Sequence, residues 1–242
     1  MLPGAASIRL PSISERLAIR SLALALCLLS GCASALPGFD GGGTTPARRT
    51  DVLMGGAARI PLGGDEAITA GDALAGGLVP AAAVRHGIRR GLDLGVFGSG
   101  TDGALSLRKE HVFQEDSTRK VLLFGGRIYG GAIVRRDDGD DRGRRLGLEL
   151  PLLYALDVGG LYEGFFGLRA ALEHARVDGA DGDKRGAVFR VGPSLGFGLG
   201  LRRVHGALKL GMGVEARSGS LGREDGRVGG YLLPAFALRI RP

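Results

Sequence analysis

The stretch FRVGPSLGFGLGL, residues 189–201, decides how this chain is read. One register holds Phe189, Val191, Pro193, Leu195, Phe197, Leu199 and Leu201. The other holds Arg190, Gly192, Ser194, Gly196, Gly198 and Gly200. Alternation sustained over so many residues has the period of a β-strand, whose successive side chains point to opposite faces. Glycine weakens a strand, because it loses more backbone freedom on ordering and packs nothing against its neighbours. Its recurrence on one face implies that space on that face is short.

The same period runs through the chain. Leu146, Leu148, Leu150, Leu152, Tyr154 and Leu156 alternate with Arg145, Gly147, Glu149, Pro151, Leu153, Ala155 and Asp157. Val204, Leu208, Leu210, Met212 and Val214 share one face of 203–217; His205, Lys209, Gly211, Gly213, Glu215 and Arg217 share the other. Strands are expected near 51–61, 78–88, 91–98, 103–113, 119–134, 144–158, 160–176, 187–201, 203–217 and 228–241. The segment LRAALEHARV (168–177) is rich in helix formers, but its neighbours place it in a strand. Long polar connections are expected at 62–77, 99–102, 135–143, 177–186 and 218–227. Short turns are expected at 89–90, 114–118, around Gly159 and at Arg202. The fold class is all-β: an antiparallel up-and-down barrel of about 10 strands (8–10), over residues 51–242. The glycine-rich register would face a narrow interior and the apolar register would face outward. A soluble sandwich would bury the large apolar side chains instead.

Composition sets the context. With 45 glycines and no tryptophan in 242 residues, an ordinary helical protein is excluded, and glycine has no period of three. Arg9, Arg16 and Arg20 precede the apolar run SLALALCLLS (21–30), which is too short for a stable spanning helix. That run leads into Leu29-Ser30-Gly31-Cys32, which resembles the lipobox of bacterial lipoproteins. The resemblance implies a signal peptide over 1–31, cleavage before Cys32, and lipid on the Cys32 sulfur and the new amino group. Ala33 after the cysteine implies sorting to the outer membrane. Residues 32–50 read as a lipidated flexible tether. Cleavage removes Arg9, Arg16, Arg20 and Glu15 and lowers the formal charge from +7 to +5. Cys27 leaves with the signal, so no thiol remains for a disulfide. No basic stripe interleaved with aromatics points to nucleic acid.

Residues 51–242 resemble bacterial outer-membrane β-barrel proteins, which carry alternating strands, short turns at one end and longer loops at the other. The resemblance implies a barrel exterior against membrane lipid. With an even strand number, it also puts both termini on the periplasmic side. The chain departs from that pattern in its scarce Tyr, its missing Trp and its ending FALRIRP, where such barrels end in an aromatic residue.

A search for chemistry finds one constellation. Glu149, Glu163, Arg169, Glu173, Arg190, Lys209, Glu215, Arg217 and Arg239 fall on the expected inner face, where mixed charges would pair across the lumen and occlude it. His86, His111, His174 and His205 lack metal-ligand spacing. DDGDD (137–141) and DGADGD (178–183) lack the closing glutamate of a calcium loop. GGGTT (41–45) has no lysine of a phosphate loop, and Ser194 in GPSLG lies within a strand instead of at a nucleophile elbow. The expectation is a lipid-anchored outer-membrane barrel with a structural or envelope-associated role. It would be no enzyme, and would have no cofactor, no metal and an occluded, charge-lined lumen. Two alternatives stay open: a soluble, lipocalin-like periplasmic lipoprotein binding a hydrophobic ligand, and an outer-membrane lipid-modifying barrel enzyme. The direction in which Leu195, Phe197 and Leu199 point discriminates the soluble reading.

Overall fold

The computed structural model describes residues 41–62, 79–100, 102–134, 142–179, 182–201, 203–221 and 228–241. Cys32, the signal segment and much of the expected long connections lie outside them. The elements are β1 (Thr50–Ala57), β2 (Ile60–Leu62), β3 (Val79–Arg89), β4 (Leu92–Ser99), β5 (Asp102–Glu115) and β6 (Thr118–Val134). They continue with β7 (Arg142–Val158), β8 (Tyr162–Gly179), β9 (Gly182–Leu201), β10 (Val204–Arg217), a 3-10 turn (Gly219–Leu221) and β11 (Val228–Ile240). β1 pairs with β3, each strand from β3 to β11 pairs antiparallel with the next, β11 closes on β1, and β2 continues the line of β1 along β11. Closure of β11 on β1 removes the open edges that a flat sheet would carry at its first and last strands. The expected strands, including LRAALEHARV within β8, are all present.

Pairing fixes the geometry. Thr50 pairs with His86, and the row runs through Leu94, Leu107, Gly126, Leu150, Ala170, Val191, Val214 and Gly230. It returns to the line of β1 at Leu62, twelve residues beyond Thr50. A shift of twelve residues at ~3.3 Å each, around ten strands ~4.8 Å apart, tilts the strands by ~40° from the axis. The interior is therefore narrow.

Side-chain direction follows the period-two pattern. Leu195, Phe197 and Leu199 point outward and are 52%, 50% and 55% exposed. Leu146, Leu148, Leu150 and Leu152 point outward too, whereas Leu153 and Ala155 are buried inside. From Leu146 to Leu156 the outward register of β7 covers ten residues, which at that tilt spans ~25 Å of barrel height.

The inward glycines answer the question of space. Gly196 of β9 lies directly opposite Phe165 of β8. A Cβ at Gly196 would sit 2.1 Å from Phe165 Cζ. Phe165 packs its ring inward against Val121, Leu123, Leu153 and Ala155. Gly147 of β7 does the same for Tyr129 of β6, whose Cζ would lie 2.4 Å from an added Cβ. In each pair the bare backbone of one strand is the floor on which the neighbour's ring lies.

Two expected loops are not loops. The connection expected at 99–102 leaves only residues 100–101 between β4 and β5, and that expected at 177–186 leaves only 180–181 between β8 and β9. The polar residues there extend a hairpin beyond the apolar register, with Asp178 opposite Asp183 and Arg176 bonded to both carboxylates at 2.7 and 2.5 Å. Polarity marked where the apolar face ends, not where the strand ends.

Candidate functional site

The lumen holds the chain's concentrated chemistry, in three tiers. Towards the loop end, Glu215 of β10 accepts from Arg59, Arg190 and Arg217, at 2.7 Å from Arg59 and 2.6 Å from Arg217. Arg190 also reaches Glu173, at 3.1 Å. Glu173 is 1% exposed and accepts from the Tyr129 hydroxyl at 3.1 Å. Arg145 of β7 binds Asp102 of β5 in the same region. In the middle, Glu149 accepts from Arg169 at 2.7 Å and from Arg127 at 3.5 Å. Arg127 also lies over the Phe97 ring, 5.6 Å from its centroid. Lys209 is buried within electrostatic reach of Glu149 and Arg169. Towards the turn end, Arg108 binds Asp93, with Nε 2.9 Å from Oδ1, Arg239 donates to Glu163 at 3.1 Å, and Arg119 binds Glu110. Arg241, just past β11, forks onto Asp51 at 2.7 and 2.9 Å. That hydrogen-bonded pairing raises the Arg241 guanidinium above its ordinary value.

All nine charged residues singled out in the sequence thus point inward and share one web of ion pairs and electrostatic contacts, Lys209 included. Stripping water from a charge is expensive unless a partner and further hydrogen bonds replace it. The tiers meet that requirement by sharing: one carboxylate serves several guanidiniums. The ending FALRIRP is explained by the same rule, because Arg239 and Arg241 occupy the inward register and close onto β8 and β1.

Sequence reasoning missed about half of the network: Asp51, Arg59, Asp93, Asp102, Arg108, Glu110, Arg119, Arg127, Arg145 and Arg241. The signal was present. In DGALSLRKEH (102–111) the register of Asp102, Ala104, Ser106, Arg108 and Glu110 is polar or small and opposes Leu105 and Leu107.

It also missed a strap. Residues 41–49, read as part of the tether, enter the turn end of the lumen. The Gly42 amide donates to Glu163 of β8, the Thr44 amide to Glu110 of β5 at 2.9 Å, and the Thr45 amide to Asp93 of β4 at 2.8 Å. Thr45 is 1% exposed, and the Gly43 carbonyl accepts from Arg108 at 3.2 Å. GGGTT is therefore a backbone ligand for three wall carboxylates. Its glycines fit by close approach: a Cβ at Gly42 would lie 2.6 Å from Glu163 Cγ. Beside the strap is an open vestibule of about 590 Å³, lined by Glu110, Arg119, Asp157, Glu163, His205 and Arg241 among others.

The other candidates stay apart. His86 faces outward, its Nδ1 3.1 Å from the Thr50 hydroxyl. His111 lies edge-on to Phe113, His174 is on the exterior of β8, and His205 Nε2 is 2.8 Å from the Gly160 carbonyl. Among the described residues no group of three metal-ligating side chains comes together, and the buried Ser194 hydroxyl has no hydrogen-bond partner. The large apolar register, with Leu195, Phe197 and Leu199, is on the outside and ion pairs line the lumen, which is not the arrangement that the soluble lipocalin-like alternative requires.

No family model and no curated protein matches the chain. Solved structures to which it is similar include the outer membrane protease OmpT from Escherichia coli, at 8% identity and a TM-score of 0.46, covering 80% of this chain and 97% of that one. Neisserial surface protein A is similar at 12% identity and a TM-score of 0.34, covering 79% and 94%. Ail, the attachment invasion locus protein of Yersinia pestis, is similar at 10% identity and a TM-score of 0.32, covering 80% and 99%.

Proposed function

We propose that this chain is a lipid-anchored outer-membrane β-barrel with a structural or envelope-associated role, carrying a lumen closed to flow. The observation that carries the reading is the outward apolar register. Its ~25 Å height on β7 equals the apolar band of a barrel embedded in a bilayer. Exposing such a surface to water would be costly at ~25 cal/mol per Å². Outward aromatics gather near the turn end, where Phe124, Tyr154, Tyr162, Phe166 and Phe197 lie on neighbouring strands. Aromatic rings favour such an interface, and this partial girdle answers the missing Trp.

Occlusion is supported by the tiers of mixed charge, by the inward apolar clusters around Phe97 and Phe165, and by the strap. A conducting pore would more simply carry a ring of one sign. In this reading Cys32 bears the lipid, and the strap leads from that anchor into the periplasmic end of the barrel, where β1 begins and β11 ends. The barrel acts by its presence in the membrane and turns over no substrate.

Planar-bilayer recording of the purified, reconstituted protein tests the reading. Insertion verified by heat-modifiable migration, without stable current steps, is the expected result. Porin-sized steps would replace it with a transport channel.

A further inference from the structure

We infer that the turn end of the barrel wall is a docking surface for the headgroups of anionic phospholipids. The inference rests on the membrane-spanning reading above and adds what the rim recognises. Towards the turn end, lysines enter the outward apolar register of β5 and β6, with the exposed Phe113 beyond Lys109. Leu105 and Leu107 are followed by Lys109, and Leu122 is preceded by Lys120. Lys109 lies directly opposite Phe124. Its Nζ lies over the ring, 5.9 Å from the centroid, so the ammonium rests on an aromatic face of the outer wall. A lysine stem can lie along such an apolar surface while its charge reaches a polar interface.

The rim is basic beyond this pair. Arg89 ends β3, Arg203 lies in the turn before β10, and Arg48 and Arg49 end the strap; all four are exposed. Lys120 lies within electrostatic reach of Asp116, whereas Arg48, Arg49, Arg89 and Arg203 stand exposed on the rim. The acids of the same rim are largely engaged: Glu115 by Arg90, Asp116 by Gln114, the Thr118 amide and the nearby charge of Lys120, and Asp157 by the Gly160 amide. Arg48 holds the one positive φ among the described non-glycine residues, at 60°, where glycine or asparagine is the ordinary choice. Exposed cations set among the last outward apolar residues of the wall complement phosphate groups bearing net negative charge. A zwitterionic headgroup would meet them with its own cation as well. Basic residues next to a membrane surface attract anionic lipid by up to about fivefold each, and the attraction is screened by salt.

The full-length protein is reconstituted in phosphatidylcholine membranes, and electron spin resonance compares spin-labelled phosphatidylglycerol with spin-labelled phosphatidylcholine at the barrel surface. The expected result is severalfold selectivity for phosphatidylglycerol in low salt. It should fall towards unity in 1 M salt and in the variant Lys109→Gln/Lys120→Gln/Arg203→Gln. The control Arg144→Gln/Arg185→Gln, at the loop end, should keep it. A barrel that inserts but shows no selectivity, or keeps it in the triple variant, overturns this inference alone. Failure of the wild type to insert overturns the spanning reading and this inference with it.

Discussion

Gly196→Ala and Gly198→Ala place the same methyl group at neighbouring inward positions of β9, yet the lumen should treat them differently. At Gly196 the new Cβ falls 2.1, 2.6 and 2.7 Å from three ring carbons of Phe165. The ring cannot retreat, because Val121, Leu123, Leu153 and Ala155 fill the space behind it. Overpacking of this kind costs ~1–3 kcal/mol. At Gly198 the nearest atoms are the Gly206 carbonyl oxygen at 3.3 Å, Ala207 Cβ at 3.5 Å and Glu163 Cβ at 3.6 Å, which need give only slightly. Both substitutions reduce the freedom of the unfolded chain equally, a gain of ~0.4–1 kcal/mol. That gain cancels in the comparison, so the difference between the two variants isolates the packing term of ~1–3 kcal/mol. Equilibrium unfolding in detergent, followed by heat-modifiable migration, measures it. Adding Phe165→Leu should shrink the penalty of Gly196→Ala. Equal effects at 196 and 198, or a penalty that Phe165→Leu leaves intact, would refute the argument that inward glycines exist to seat neighbouring rings.

Three further outcomes follow from the lumen and its strap. Glu215→Ala strips the shared partner from Arg59, Arg190 and Arg217 and should cost ~3–5 kcal/mol in the same unfolding assay, because it leaves buried charge uncompensated; Asp116→Ala in the β5–β6 turn is the near-neutral control. Gly42→Val should drive the strap off the wall, since its Cβ would meet Glu163 Cγ at 2.6 Å and Ala155 Cβ at 3.2 Å. Hydrogen exchange should then lose protection at Thr44 and Thr45 while the strands keep theirs. Cys32→Ala should abolish incorporation of radioactive fatty acid; equal labelling of both proteins would remove the anchor from the account.

The fold was legible because one period governs the whole chain. Strand ends blurred where that period outlived its hydrophobic half: Asp178 and Asp183 still pair in register, although their polarity reads as a loop. The site was half legible. Glu149, Glu173 and Glu215 stand out because they interrupt a glycine-rich register of long strands. Asp93 and Arg108 lie on short neighbouring strands and are tied by a bidentate contact that no spacing announces. The strap was illegible for a different reason. GGGTT docks through its backbone amides, so its side chains carry no trace of the carboxylates it meets; only Gly87, where a Cβ would lie 2.1 Å from the Pro46 carbonyl oxygen, hints that a second segment lies alongside β3.

The central claim is that the apolar register of the wall faces hydrocarbon. Spin labels placed singly at Leu146, Leu148, Leu150, Leu152 and Leu156 of the reconstituted protein test it through accessibility to oxygen and to a water-soluble nickel chelate. The account predicts oxygen access at every site, with the ratio of oxygen to nickel collision rising to a maximum at Leu150 and Leu152 and falling towards both ends. Nickel access at all five positions, or a profile flat along β7, would contradict a barrel that spans the membrane.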